Sequence, residues 1–163
     1  MRWRCRSLRQ KGWHKLLNEI SIGNIYSKPF AGDLPDMRAE YERKYHLIEK
    51  NLWWFVARRD MIRGILNNSG AQKSVRIVDV GCSGGLLISE LQKDGYSDVS
   101  GIDISPEAIK ICKSSGIANT KIADARSTGF KDASFDVVIA SDILEHIRDD
   151  RAAILEWKRI LKK

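Results

Sequence analysis

Four aspartates lie at the ends of predicted strands, and they are the side chains most able to form a ligand site. Asp79 and Asp103 end the first two predicted strands, Asp124 follows the third, and Asp142 follows the fourth. The first strand leads directly into the glycine-rich loop 81–85, within the stretch VDVGCSGG. Because the carboxyl ends of parallel strands meet at one edge of a sheet, we expect a site there that is rich in negative charge and hydrogen-bond acceptors.

The loop and its acid discriminate between nucleotide-like ligands. A pyrophosphate would lie beside Asp79, and like charges about 4 Å apart repel by several kcal/mol at intermediate dielectric. No lysine follows the glycines, so the phosphate-binding P-loop pattern is absent, and glycines at 81, 84 and 85 do not form G-x-G-x-x-G. A ligand with a positively charged sulfur, an ammonium group, ribose hydroxyls and an adenine amine suits these acids better. That description fits S-adenosylmethionine (SAM).

The elements that must position these residues alternate between strand and helix. Strands are predicted at 76–80, 98–104, 119–123 and 135–140, with helices at 84–93, at 106–115 and from Asp149 or Asp150 to 161. Short loops between strands and helices predict an α/β fold with a Rossmann-like, doubly wound, mostly parallel sheet of about four strands. We treat residues 36–163 as this domain.

A long helix is predicted before the first strand, from Asp36 to about Leu66. Its apolar residues recur at three- and four-residue steps, and Arg59 interrupts the stripe. A charged residue on a buried face needs a partner or a ligand, unless its head group reaches solvent along an apolar stem. The aromatic cluster 53–55 is expected in the core.

The charge of the chain is concentrated at its start. The net charge is +7, and residues 1–32 hold seven Lys/Arg against one acid, which leaves about +1 for residues 33–163. A nearly neutral body gives no reason to expect nucleic acid as a partner. Residues 1–35 are interpreted as a basic, poorly ordered extension, and the alternative is a weak membrane-surface contact through residues 1–32.

Cysteine usage and hydropathy indicate the compartment. Cys5, Cys82 and Cys112 are odd in number and widely spaced, which predicts free thiols in the cytosol and neither a disulfide framework nor a zinc site. No stretch approaches the roughly 18 apolar residues of a membrane span, and no secretory signal is recognisable. We therefore expect a cytoplasmic protein with no metal site.

The pattern Asp79-x-Gly81-x-Ser83-x-Gly85 resembles the first motif of class I SAM-dependent methyltransferases, D/E-x-G-x-G-x-G, with Ser83 at the middle glycine. The stretch EKNLWWFVARRDMI is similar to the helix that precedes the fold in bacterial methyltransferases of small-molecule, glycan and lipid pathways. The resemblance covers roughly residues 36–161. It implies this family's fold and SAM as the cofactor.

The resemblance also implies roles for individual residues. The backbone of loop 81–85 would approach the methionyl part of SAM, Asp103 would hold the ribose hydroxyls, and Asp124 would reach the adenine amine. Arg58 or Arg59 is the candidate partner of the SAM carboxylate. The full set of predicted cofactor-binding residues is Asp79, Gly81, Cys82, Ser83, Gly85, Asp103, Ile104, Asp124, Ala125 and Arg59.

The implied reaction is in-line transfer of the methyl group to an oxygen, nitrogen or carbon of a small-molecule, glycan or lipid-linked acceptor. His146 is the candidate base, although a packing or helix-capping histidine fits the same position. Asp142, in the loop after the fourth strand, would face the transferred methyl group. The sequence identifies neither the acceptor nor an oligomeric state.

Two alternatives remain at this point. Four strands are expected where the family has seven, so the chain is also consistent with a truncated SAM-binding fragment without catalytic activity, or one that another chain completes. The other alternative is an NAD-dependent oxidoreductase on the same fold class.

Overall fold

A computed structural model describes His46 and residues 48–163 of the 163-residue chain. In this part four parallel strands form one sheet: β1 (Arg76–Val80), β2 (Asp98–Asp103), β3 (Thr120–Ile122) and β4 (Val137–Ile139). The order across the sheet is β3-β2-β1-β4. All four carboxyl ends therefore point to the same edge, as the sequence predicts. β4 is shorter than predicted, since Phe135 forms a separate parallel bridge with Leu161.

The helices occur along the chain in the predicted order, the first of them before β1. Local signals explain where two of them start. They are α1 (Trp53–Asn68), α2 (Leu86–Lys93), α3 (Pro106–Ser114) and α4 (Asp150–Ile160), with a 3₁₀ turn at Leu144–His146. Ser105 Oγ accepts a hydrogen bond from the backbone of α3 at 3.2 Å, directly before a proline in the first turn. Asp149, rather than Asp150, caps α4 by accepting from its backbone at 2.9 Å.

Apolar side chains pack on both faces of the sheet. Ile77 and Val99 belong to a core that includes residues of α1, α2 and α3, whereas Val78 belongs to a core that includes Ile160 of α4. Helices on both faces confirm the predicted doubly wound α/β architecture. Because successive strand residues face opposite sides, Asp79 lies on the same face as Ile77.

The helix before β1 differs in detail from the prediction. Residues 48–51 are helical, Leu52 is extended with ψ 127°, and α1 starts at Trp53 and ends at Asn68. The aromatic cluster is not in the core as expected, because the side chains of Trp53 and Trp54 are 70% and 54% exposed. The predicted start of this helix at Asp36 lies outside the described residues.

The remaining predictions on the N-terminal region also fall outside the described residues, namely the extension 1–35 and the membrane-surface contact through residues 1–32. Within the described part, no helix has the length and hydropathy needed to cross a membrane. Cys82 and Cys112 are both buried and free.

Candidate functional site

Asp103 lies at the carboxyl end of β2, and the backbone fixes the orientation of its carboxylate. The Ser83 N–H donates to Oδ2 at 2.9 Å, and the Ser105 N–H donates to Oδ1 at 2.8 Å. Each carboxylate oxygen can accept more than one hydrogen bond. Asp103 is half-buried and lines a cavity at this edge of the sheet. It is therefore a preoriented acceptor for a ligand that carries hydroxyl groups.

The cavity beside Asp103 has a volume of about 300 Å³, at the lower end of the range typical of small-molecule sites. Gly81 forms part of its wall with φ +78°, and a Cβ at this position would lie 2.6 Å from Ile143 Cδ1. The absence of a side chain at Gly81 thus keeps the cavity open. The wall includes five predicted cofactor residues, which are Gly81, Asp103, Ile104, Asp124 and Ala125.

Asp124, predicted to reach an adenine amine, forms an ion pair within its own loop. Arg126 donates through Nε to Oδ1 at 3.0 Å and through Nη2 to Oδ2 at 2.6 Å. These hydrogen bonds lower the pKa of Asp124 to about 2. An amine bound here would share the carboxylate with the guanidinium or displace it. Arg126 also lines the cavity, and nothing in the sequence distinguished it from other surface arginines.

A second, smaller cavity of about 20 Å³ shares Gly81 with the larger one in its wall. Its wall includes two carboxylates, Glu49 and Asp79, and two guanidiniums, Arg58 and Arg59. Asp79 is 4% exposed, and burial, followed by the charge of Glu49, raises its pKa to about 7, against the opposing charge of Arg58. The space itself has room for about one water molecule, so the ammonium and carboxylate of an amino acid would meet these charges at its mouth.

The two arginines differ in how they are bound. Arg59 is 4% exposed, so its head group does not reach solvent. Its Nε donates to Glu90 at 3.1 Å and its Nη1 to the Glu49 carbonyl at 2.9 Å. Arg58 donates through Nη1 to Asp142, whereas its Nε is buried and has no partner among the described residues. Between the two candidates for binding a carboxylate, Arg58 is therefore the one with an unsatisfied donor.

The two predicted catalytic residues lie in different surroundings. His146 ends the 3₁₀ turn after β4 and lines the larger cavity. Asp142 is exposed, adopts a left-handed conformation with φ +51°, and pairs with Arg58. It lines neither of the two cavities described above. The structure thus brings His146, and not Asp142, to the cavity wall.

Three loop residues contribute in ways the motif did not specify. Cys82 lines the smaller cavity, whereas Ser83 and Gly85 line neither. Gly85 has φ +78°, and a Cβ there would lie 2.6 Å from the Ile117 side chain, so its place in the motif reflects the packing of α2. The Ser83 hydroxyl donates to Glu49 at 2.8 Å. Sequence reasoning missed Glu49, although it lies four residues after Tyr45 on the apolar stripe.

Comparisons with known proteins show the family of this chain. The model of a family described as "Methyltransferase domain" matches residues 78–163. A ubiquinone biosynthesis O-methyltransferase of Xanthomonas oryzae pv. oryzae is 34% identical, and the alignment covers 69% of this chain and 52% of that protein. The chain therefore spans about half the length of the curated relatives that it matches.

Solved structures show the same fold. A SAM-dependent methyltransferase of Methanosarcina mazei is 31% identical with a TM-score of 0.53, covering 60% of this chain and 52% of that chain. The [4+2]-cyclase SpnF is 25% identical with a TM-score of 0.58, covering 67% of this chain and 43% of that chain. One fold thus supports two chemistries, so the reaction must be argued from the residues of the site.

Proposed function

The chain belongs to the methyltransferase-domain family, and on this premise we propose that it binds S-adenosylmethionine and transfers the methyl group to an oxygen of a small or lipid-linked acceptor. The observation that carries the proposal is the pair of cavities that meet at Gly81. The larger presents the preoriented carboxylate of Asp103, and the smaller presents charges of both signs.

The residues present fit this cofactor. Asp103 would accept hydrogen bonds from ribose hydroxyls, because both of its oxygens are already held by backbone N–H groups. The buried and unpaired Nε of Arg58 would donate to the cofactor carboxylate, and Asp79 would accept from its ammonium group. When bound, S-adenosylmethionine supplies a methyl group on a positively charged sulfur.

Positioning is the main contribution expected of the chain itself. The wall of the larger cavity would hold the cofactor in a fixed orientation towards the acceptor. His146 lies in that wall, and we propose that its imidazole accepts the proton that the acceptor hydroxyl loses. Asp142, paired with Arg58, would act on the shape of the loop after β4 rather than on the methyl group.

The names of the relatives support the proposed acceptor atom and acceptor class. Curated relatives that the chain matches at 34% identity are named O-methyltransferases of ubiquinone biosynthesis. We therefore favour a hydroxyl group on a small or lipid-linked molecule over a nitrogen or carbon acceptor. A glycan-linked hydroxyl remains the alternative. Because Cys82 and Cys112 are free, we also propose the reducing cytoplasm as the compartment.

Calorimetric titration tests the cofactor. We expect the chain to bind S-adenosylmethionine and not NADH, and Asp103→Asn to weaken binding by about 10- to 100-fold, the range for hydrogen bonds to a charged group. Asp98→Asn is the matched control, since Asp98 lies at the opposite end of β2 and pairs with exposed Arg76. Binding of NADH in preference to S-adenosylmethionine would contradict the proposal.

Turnover tests the reaction. Release of S-adenosylhomocysteine is measured with acceptors from three classes, namely hydroxylated small aromatics, lipid-linked alcohols and glycans. We expect transfer to one of the first two classes and a lower rate with His146→Ala at unchanged cofactor affinity. Cofactor binding without transfer to any class would refute the catalytic part of the proposal.

A further inference from the structure

Ser83 occupies the middle position of the glycine-rich motif and has a hydroxyl group that a glycine would lack. Its φ is +49°, in the left-handed region where glycine is favoured. The hydroxyl donates to Glu49 Oε2 at 2.8 Å and lies 3.3 Å from His46 Nδ1. The strained serine thus links the loop after β1 to the helical residues that precede α1.

Glu49 is held through both its side chain and its backbone. Glu49 is 5% exposed, and a buried charge is stable only with hydrogen-bonding partners. Its side chain accepts from Ser83, and its backbone carbonyl accepts from Arg59 Nη1 at 2.9 Å. Arg59 is itself anchored to Glu90 at 3.1 Å. Ser83 is therefore the contact that joins Glu49 to the glycine-rich loop.

Glu49 is positioned where this constraint affects a ligand. It lines the smaller cavity together with Asp79, Arg58 and Arg59. An ammonium group at the mouth of that space would be near two carboxylates, and a carboxylate group there would be near Arg58, whose Nε is unpaired. The charges of both signs in this wall would pair with the ammonium and the carboxylate of an α-amino-acid group.

We propose that Glu49 is a second carboxylate, beside Asp79, that contacts the ammonium group of the cofactor, and that Ser83 is the positioning residue that holds it there. This inference rests on the proposed binding of S-adenosylmethionine. It assigns a role to the one residue of the motif that departs from glycine. Its specific consequence is that the Ser83 hydroxyl and the Glu49 carboxylate act only on the amino-acid end of the ligand, whereas the Ser83 backbone N–H, which holds Asp103, is retained in every variant.

The test compares two probes, with a third to control for the charge on sulfur. S-adenosylmethionine carries the amino-acid group and a positively charged sulfur, whereas 5′-methylthioadenosine carries the same nucleoside with a neutral sulfur and no amino-acid group. S-adenosylhomocysteine, which has the amino-acid group and a neutral sulfur, should show the same losses as S-adenosylmethionine. For Glu49→Gln we expect about 10- to 100-fold weaker binding of S-adenosylmethionine, because a charge-assisted contact is lost. For Ser83→Ala and Ser83→Gly we expect about 3- to 10-fold, the range for a neutral hydrogen bond. Binding of 5′-methylthioadenosine should be unchanged in all three.

Controls separate this role from a structural one. Ser114→Ala removes an exposed hydroxyl that bonds only to the backbone of α3, and it should change neither affinity. Ser83→Gly also relieves the left-handed strain, so a loss of S-adenosylmethionine affinity in this variant cannot arise from backbone distortion. Circular dichroism and melting curves verify that each variant is folded.

Each outcome decides the inference. Weaker binding of S-adenosylmethionine and S-adenosylhomocysteine, but not of 5′-methylthioadenosine, supports it. Equal loss for all three probes would mean that the whole loop is disturbed, and no loss for any would mean that Glu49 does not reach the ligand; both results overturn it. A wild-type chain that binds none of the probes would overturn the proposed function as well, whereas wild-type binding with unaffected variants overturns this inference alone.

Discussion

Replacement of Asp79 by asparagine should change how the stability of the protein depends on pH. Asp79 is 4% exposed, and burial, with the neighbouring charge of Glu49, raises its pKa from 3.8 to about 7. The folded protein therefore keeps a proton that the unfolded chain releases at a much lower pH. Since the folded-state pKa is raised, ionised Asp79 destabilises the folded protein progressively as the pH rises from about 4 to about 7.

The size of the effect follows from this difference. Between about pH 5 and pH 7, at about 1.36 kcal/mol for each pH unit, the wild-type free energy of unfolding should fall by about 3 kcal/mol through Asp79. An asparagine side chain does not titrate, so Asp79→Asn lacks this contribution. Any constant cost of burying an amide cancels when the same protein is compared at two pH values.

Urea unfolding at about pH 5 and about pH 8 measures the effect for wild type and Asp79→Asn. The wild type should lose about 3 kcal/mol more than the variant over this interval. Asp94→Asn is the matched control, because hydrogen bonding to Arg63 lowers the pKa of Asp94, which stays ionised throughout. Equal pH dependence in wild type and Asp79→Asn would refute the buried, protonated state of Asp79.

Three further substitutions test other parts of the structure. Gly81→Ala should weaken S-adenosylmethionine binding more than 10-fold in calorimetry, because the new Cβ would lie 2.6 Å from Ile143. Gly116→Ala is the control and should leave binding unchanged, because Gly116 also has a positive φ of +82° but no atom lies within 4 Å of the position of a Cβ there. Phe135→Ala removes the ring of a residue that is 2% exposed, and it should lower the free energy of unfolding by about 3–5 kcal/mol in urea titrations. A loss below about 1 kcal/mol would contradict the place of Phe135 in the core. Hydrogen bonding to its neighbouring arginine lowers the pKa of Glu156 from 4.5 to about 2, so this group stabilises the fold above about pH 4.5 and the contribution is lost as the pH falls towards 2. Melting temperatures across that range should therefore fall less steeply for Glu156→Gln, and parallel curves would show that Glu156 does not contribute.

The architecture of this protein was predictable because its signals are local. Strand and helix boundaries follow from short-range patterns such as the run RIVDV, the Ser105–Pro106 helix start and the Asp149 cap. Once the strands are known to be parallel, their carboxyl ends must meet at one edge. Asp103 ends β2 and lines the cavity at that edge, which is where its place in the sequence puts it.

No local sequence pattern predicted which acidic and basic side chains of the site form ion pairs. Four strand-end aspartates were expected in one site, but Asp124 pairs with Arg126, Asp142 pairs with Arg58, and Asp79 lies buried in a separate cavity. Which arginine keeps a free donor depends on partners far along the chain, because Arg58 and Asp142 are 84 positions apart. Sequence spacing carries no information on such pairs.

What the sequence alone determined is therefore the class of the fold and the edge of the sheet at which the strand-end acids lie. Only the tertiary structure decided that Ser83 bonds to Glu49, 34 positions earlier, and that Trp53 and Trp54 are exposed. The physical reason is the range of the interactions. Backbone propensity, caps and strand alternation act over a few residues, whereas burial and ion pairing depend on which segments packing brings together.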